Sequence, residues 1–174
     1  RDGPYFHYNT RWIHALMKAS EETRRPEFRI WAAELLLASR KFISYSNGHR
    51  RMYWKMSIDL SRPLVNSMGA HDPLEGLILA ETLKDVVPEL APQLGKLSSE
   101  FEALSQEMDW KTNDTLGTGG LLLNAVKAAE LAKERSVPEA MDPEKLLNDC
   151  RYGLSNLMDS KELTFTAARR LAFR

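Results

Sequence analysis

Between Leu90 and Met108 the large apolar residues Leu90, Leu94, Leu97, Phe101, Leu104 and Met108 recur at alternating steps of four and three. An α-helix gathers residues at that spacing onto one stripe, and the stripe needs other apolar surface to lie against. Most of the remaining chain reads the same way. A first helix is predicted over roughly Tyr5–Thr23. A second starts at Pro26, suited to a first helical turn because its missing N–H costs nothing there. Its core stripe is Phe28, Trp31, Leu35, Ala38 and Phe42. A third starts at Asp72-Pro73, with Asp72 as N-cap, and runs to about Val87. A fifth follows the turn Gly117-Thr118-Gly119-Gly120 and carries Ala125, Ala128, Ala129 and Ala132, small enough for close helix approach. A sixth starts at Asp142-Pro143 with Leu147, Cys150, Leu154 and Leu157, and a seventh begins near Thr166. Short turns between such helices imply an all-α fold of antiparallel αα-hairpins, one helical domain over residues 1–174. No fixed repeat period is visible, which argues against a tandem helical array.

One segment departs from this pattern. From about Ser44 to His71 the helical period is lost, and Arg51, Tyr53, Lys55, Ser57 and Asp59 alternate with Met52, Trp54, Met56, Ile58 and Leu60. A period of two means extended chain, with the apolar set on the helices and the polar set on the other face. A connection of this length inside a compact helical domain is uncommon and often functional.

Composition narrows the function classes. The 174 residues carry 24 Lys+Arg against 24 Asp+Glu, with 43% hydrophobic residues and a single cysteine, Cys150. Such a chain can bury a real core. Zero net charge argues against nucleic acid as a partner, which needs a basic surface. One cysteine excludes an internal disulfide framework and a cysteine-based zinc site. No apolar run approaches a membrane span of ~20 residues, and no signal-peptide pattern opens the chain. No membrane partner and a cytoplasmic location are therefore expected. The charge is uneven: residues 1–62 hold 12 basic and 6 acidic groups, and residues 63–174 hold 12 and 18. Either the halves attract or one of them lines a charged site. The chain opens at Arg1 without Met, and residues 167–174 read as a helix cut short, so a piece of a longer protein is expected.

The polar stripe of the extended segment is the first candidate site. Arg51, Lys55 and Arg62 supply positive charge, Asp59 supplies a carboxylate, and Tyr53 and Trp54 lie among them. Charges bind hydroxyls or carboxylates while aromatic faces stack on a ring, which suits a polyhydroxylated or anionic small molecule. The competing expectation is a solvated hairpin whose charges do nothing. On the first helix His7, Arg11, His14 and Lys18 share a polar stripe, and Tyr8, Trp12, Ala15 and Ala19 share an apolar one. His7 and His14 are ~10.5 Å apart along the axis, too far to share a metal ion. No other metal or cofactor motif is apparent. His71 is a candidate acid or base because imidazole titrates near neutrality. Asp59, Asp72 and Glu75 can supply a carboxylate pair of the glycosidase kind. The Gly117–Gly120 turn can offer N–H groups to an anion, or serve only as a tight turn. It lacks the Lys and Ser/Thr of a phosphate loop.

Several stretches carry a resemblance. They are Tyr5-Phe6-His7-Tyr8-Asn9-Thr10-Arg11-Trp12, the run from Met52 through Val65, and Ser67-Met68-Gly69-Ala70-His71-Asp72-Pro73-Leu74-Glu75-Gly76. Residues 116–121 and the ending 169–174 fit with them. Together they resemble a family of uncharacterised microbial proteins similar to the six-hairpin (α/α)6 toroids. That superfamily includes many glycoside hydrolases and the N-acylglucosamine 2-epimerase type. The resemblance implies about half of a toroid, completed by a missing remainder of the chain or by self-association. It also implies a polar central cleft acting on a carbohydrate by hydrolysis or epimerisation. The residue roles come from the stripes and not from the family. Asp59 is expected as catalytic acid or base and His71 as its partner. His7, Arg11, Arg51, Tyr53, Trp54, Lys55, Arg62 and Asp72 are expected to hold the substrate, with no cofactor and no metal. The alternative is a non-catalytic ligand-binding or scaffold domain using the same cleft.

Overall fold

The computed structural model describes residues 2–46, 49–106 and 108–159, and they are mostly helical. The chain forms two compact units, residues 1–108 and 109–174. In the first, helix α1 (Phe6–Thr23) ends at Arg24, whose φ of 56° turns the chain into α2 (Glu27–Ala38). A 3-10 turn, Ser39–Phe42, leads to two antiparallel strand pairs. Strand β1 (Ile43–Ser46) pairs with β2 (His49–Met52), and β3 (Lys55–Met56) with β4 (Pro63–Val65). Helices α3 (Asp72–Val86) and α4 (Ala91–Gln106) complete the unit and pack on the α1/α2 hairpin. In the second unit α5 (Thr115–Glu134) and α6 (Pro143–Asp159) pair with each other. The predicted helix near Thr166 lies outside the described residues. Among the described residues, no helix is long and apolar enough to cross a membrane.

The core of the first unit is built on three phenylalanines. The Phe6 ring meets Phe42 at 5.6 Å and Phe101 at 5.8 Å, and all three are fully buried. Each such side chain contributes roughly 1.5–3 kcal/mol by leaving water. Of the predicted stripe, Leu94, Leu97, Phe101 and Leu104 are buried on α4, whereas Leu90 and Met108 lie outside that helix and are half-buried. Gly76 lets α3 approach it: a Cβ there would stand 2.6 Å from the Phe101 ring. Glycine inside a helix costs up to about 1 kcal/mol relative to alanine, and here it makes room for a ring.

Three expectations are corrected. The buried face of α2 is Ala32, Ala33 and Leu36, whereas Trp31 is 49% exposed. Small residues allow a closer helix approach than a Phe28–Trp31 stripe would, and those two rings pack on each other at 5.3 Å. The Gly117–Gly120 segment is not a turn before α5 but part of its first turns. Asp114 caps that helix and accepts from the Gly117 N–H, so this donor is not offered to an anion. On α6 the buried residues are Leu146, Cys150, Gly153 and Leu157, not Leu147 and Leu154. Gly153 sets that rotation, because a Cβ there would stand 2.7 Å from the Thr112 carbonyl.

The extended segment follows its period of two only in part. Met52 and Met56 are buried, as the alternation requires, but Ile58 is 74% exposed. The chain reverses between Ser57 and Arg62, whose backbones bond at 2.9 Å, with Leu60 left-handed at φ 56°. The five polar residues therefore do not form one row.

Candidate functional site

Asp72 and Glu75 lie three residues apart in the first turn of α3 and so share a face. Asp72 is not the cap. His71 holds that position, its carbonyl accepting from the Glu75 N–H at 2.9 Å, and no side chain caps the helix. Asp72 is only 5% exposed and Glu75 6%. Among the described residues, Oδ2 of Asp72 has no hydrogen-bond partner. Burial, aided by the Glu75 charge, pushes the Asp72 carboxyl up from 3.8 to about 7, against the pull of the Gly69 backbone. That rise corresponds to about 4 kcal/mol. A helix N-terminus stabilises a carboxylate by about 0.3–1 kcal/mol, so burial dominates. Near neutral pH, Asp72 is divided between acid and carboxylate. Gly69 shapes its seat, because a Cβ at that position would fall on the Asp72 carboxyl atoms.

Glu75 is held differently. Its Oε1 lies 3.4 Å from Nη2 of Arg11 and 3.7 Å from Nε2 of His14. Both come from α1, where their spacing of three puts them on one face. One turn earlier, Nδ1 of His7 accepts from the Trp54 indole N–H at 3.2 Å. That bond requires an unprotonated Nδ1, so the neutral ring carries its proton on Nε2. Burial lowers the His7 pKa below 6.5, with Arg11 adding to the effect and Glu75 opposing it.

The start of α1 is fixed by chain that comes some fifty residues later. The Phe6 N–H donates to the Trp54 carbonyl at 3.0 Å, and the Met56 N–H donates to the Pro4 carbonyl at 3.1 Å. Tyr5 bridges to Lys55, so the approach to α1 runs beside β3. Gly3 permits this, since a Cβ there would collide with the Met56 carbonyl. Above this junction, Lys55 Nζ lies 4.4 Å from the Tyr5 ring centre and 3.2 Å from its hydroxyl. The Trp54 ring meets Tyr5 at 5.2 Å.

The structure thus brings Arg11 and His14 of α1 to Glu75, which shares the first turn of α3 with Asp72, with His7 close enough to feel the Glu75 charge. Trp54 meets His7, and Lys55 meets Tyr5, at the start of α1. The other sequence candidates sit elsewhere or are used otherwise. Asp59 is exposed in the reversal after β3, where Ser57 and Ser61 donate to Oδ1 at 2.6 and 2.8 Å. Those hydroxyls hold its carboxyl down at about 2. Arg51 is exposed, donates to the Asn66 carbonyl at 2.8 Å and lies over the half-buried Tyr53 ring. Arg62 is exposed and its N–H donates to Ser57 Oγ at 3.2 Å. His71 contributes its backbone to the start of α3. The sequence reading gave Glu75 and His14 no leading part. The signal for them was the coincidence of two carboxylates three apart with a His/Arg stripe on another helix. Among the described residues, no group of three or more His, Cys, Asp or Glu side chains is arranged to hold a metal ion. Comparison of the chain with protein families, curated proteins and solved structures gives no match.

Proposed function

We propose that the cluster around Asp72 and Glu75 is a general acid–base site acting on a carbohydrate, by hydrolysis or epimerisation. The observation that carries this reading is a pair of buried carboxyl groups on one helical face. One has an unpartnered oxygen, and the other faces Arg11 and His14. Both reaction types need a group that still holds a proton near neutral pH and a second that accepts one. Asp72 fills the first role and Glu75 the second. Asp59, with its carboxyl at about 2, has no proton to give at neutral pH. This reading therefore gives the acid's part of the role expected of Asp59 to Asp72, and the partner's part expected of His71 to Glu75. The N–H of His7, a ring that feels the Glu75 charge, supplies a donor for a hydroxyl group. The same reading takes the successive helix pairs as hairpins of about half an (α/α)6 toroid. The pairing of α1 with α2, α3 with α4 and α5 with α6 supports it.

The test is turnover by the full chain on a panel of aryl glycosides and N-acylated amino sugars, followed by NMR for released sugar or inverted centres. We expect Asp72→Asn to abolish product while Asp59→Asn keeps it. Full activity in Asp72→Asn would overturn the assignment. Binding without product in the wild type would leave the non-catalytic reading standing.

A further inference from the structure

We infer that Tyr8, Arg11 and Trp12 form a subsite on α1 that stacks a pyranose ring beside the carboxylate pair, an inference that rests on the proposed function. Tyr8 and Trp12 are four residues apart and lie on one stripe. The sequence reads that stripe as apolar, yet it is not core: the inward face of α1 is Phe6, Thr10 and Ile13. Trp12 is 67% exposed and Tyr8 56%. Aromatic side chains of this size dominate cores and binding sites because each can cover 150–250 Å². Two of them left open on one stripe are a surface to be covered by something flat.

The surroundings indicate what that is. Tyr8, Arg11, Trp12 and Ala15 line an open depression of about 300 Å³. This is the lower end of the range for small-molecule sites. Ala15, one turn beyond Trp12, leaves the space free of side chain. The Tyr8 ring is held edge-on by His7 at 4.2 Å and by Tyr5 at 5.3 Å, so it is oriented before any ligand arrives. Arg11 belongs to both places, since it lines the depression and reaches to within 3.4 Å of Glu75. An aromatic floor with a planar, multiply donating guanidinium at its edge matches a sugar ring. The ring has an apolar C–H face and a rim of hydroxyl acceptors. A lipid or an apolar peptide would gain nothing from the buried carboxylate behind the arginine.

The test uses the full chain labelled with 5-fluorotryptophan. The Trp12 signal is assigned by Trp12→Phe and titrated with methyl glycosides of glucose, galactose, mannose and N-acetylglucosamine, and with glucuronate. We expect at least one of them to move the Trp12 resonance and leave the Trp31 and Trp110 resonances in place. Trp12→Ala should weaken that sugar by about tenfold or more with no change in melting temperature, and Trp12→Phe should restore most of the affinity. Glucuronate binding more tightly than the glucoside would place the carboxylate on Arg11 and support the subsite. If no sugar moves Trp12, or if Trp12→Ala binds as the wild type does, the subsite is wrong. That failure is separable from failure of the acid–base site: Asp72→Asn would then still abolish turnover. Conversely, a Trp12-dependent sugar site with turnover unaffected by Asp72→Asn would uphold the subsite and sink the acid–base assignment.

Discussion

Asp59 and Asp72 have the same side chain, sit in the same unit and are both near a chain reversal, yet their surroundings drive them apart. At Asp59 two serine hydroxyls and a backbone N–H converge on an oxygen in open solvent, and the carboxyl falls to about 2. At Asp72 the helix start is sunk in the unit, one oxygen is left without a partner, and the carboxyl rises to about 7. Hydrogen bonds donated to a carboxylate favour its charged form and lower the acid. Loss of water disfavours the charged form, which raises a buried carboxyl such as Asp72 and lowers a buried imidazole such as His7. Of the two, only the second can carry a proton at the pH where most chemistry is run.

The largest test of this contrast is catalytic. Asp72→Asn and Glu75→Gln should each lower turnover by about 10²–10⁴-fold, and Asp59→Asn should change it by less than about twofold; steady-state rates on the same sugar decide it. Equal losses from Asp59→Asn would erase the distinction.

Stability against pH sharpens the comparison. A carboxyl raised in the folded state binds more protons there than in the unfolded chain. Its contribution is complete below 3.8 and is lost as pH rises through about 7. The wild type should therefore lose up to a few kcal/mol across that window. Asp72→Asn should lack the slope and melt higher than wild type above the window, as denaturant titrations at several pH values would record. A lower melting temperature for Asp72→Asn at every pH would mean that the carboxylate is a structural anchor.

Gly69→Ala comes next. Its methyl would press on the Asp72 carboxyl, and overpacking of this kind costs about 1–3 kcal/mol. Calorimetry should show that loss, with most of it recovered in the Gly69→Ala/Asp72→Gly double variant, because the clash is then gone. The smallest effect belongs to Asp59→Asn. The lowered carboxyl stabilises the fold above 3.8 and ceases to do so as pH falls through about 2. The variant should melt slightly below wild type at neutral pH and equal to it in strong acid.

The sequence made the helices legible because most carry periodic faces. Leu94, Leu97, Phe101 and Leu104 land where their spacing puts them. It was less informative where small residues make the contact, as with Ala32 and Ala33 on α2 and Gly153 on α6. Pattern reading favours large side chains, whereas close packing favours small ones. The site was half visible. Asp72 and Glu75 could be placed on one face, but their depth could not, since α3 from Asp72 to Glu81 is buried on every side. A helix covered all round has no polar face to give its carboxylates away. Tyr8 and Trp12 present the opposite difficulty: an apolar stripe reads as core, and nothing in the spacing tells that this one stayed outside.

The junction of Gly3–Phe6 with residues 54–56 also sets an order of events during synthesis. Helix α1 can form from local contacts as soon as it emerges, but its first turn and His7 are secured only when Trp54 and Lys55 arrive. At the usual pace of translation, about 5–20 residues per second, that is a wait of roughly two to ten seconds. Through this interval Phe6, Tyr8 and Trp12 stand on a nascent helix without its clamp. A ribosome pause before Trp54 and Lys55 have emerged would prolong the exposure.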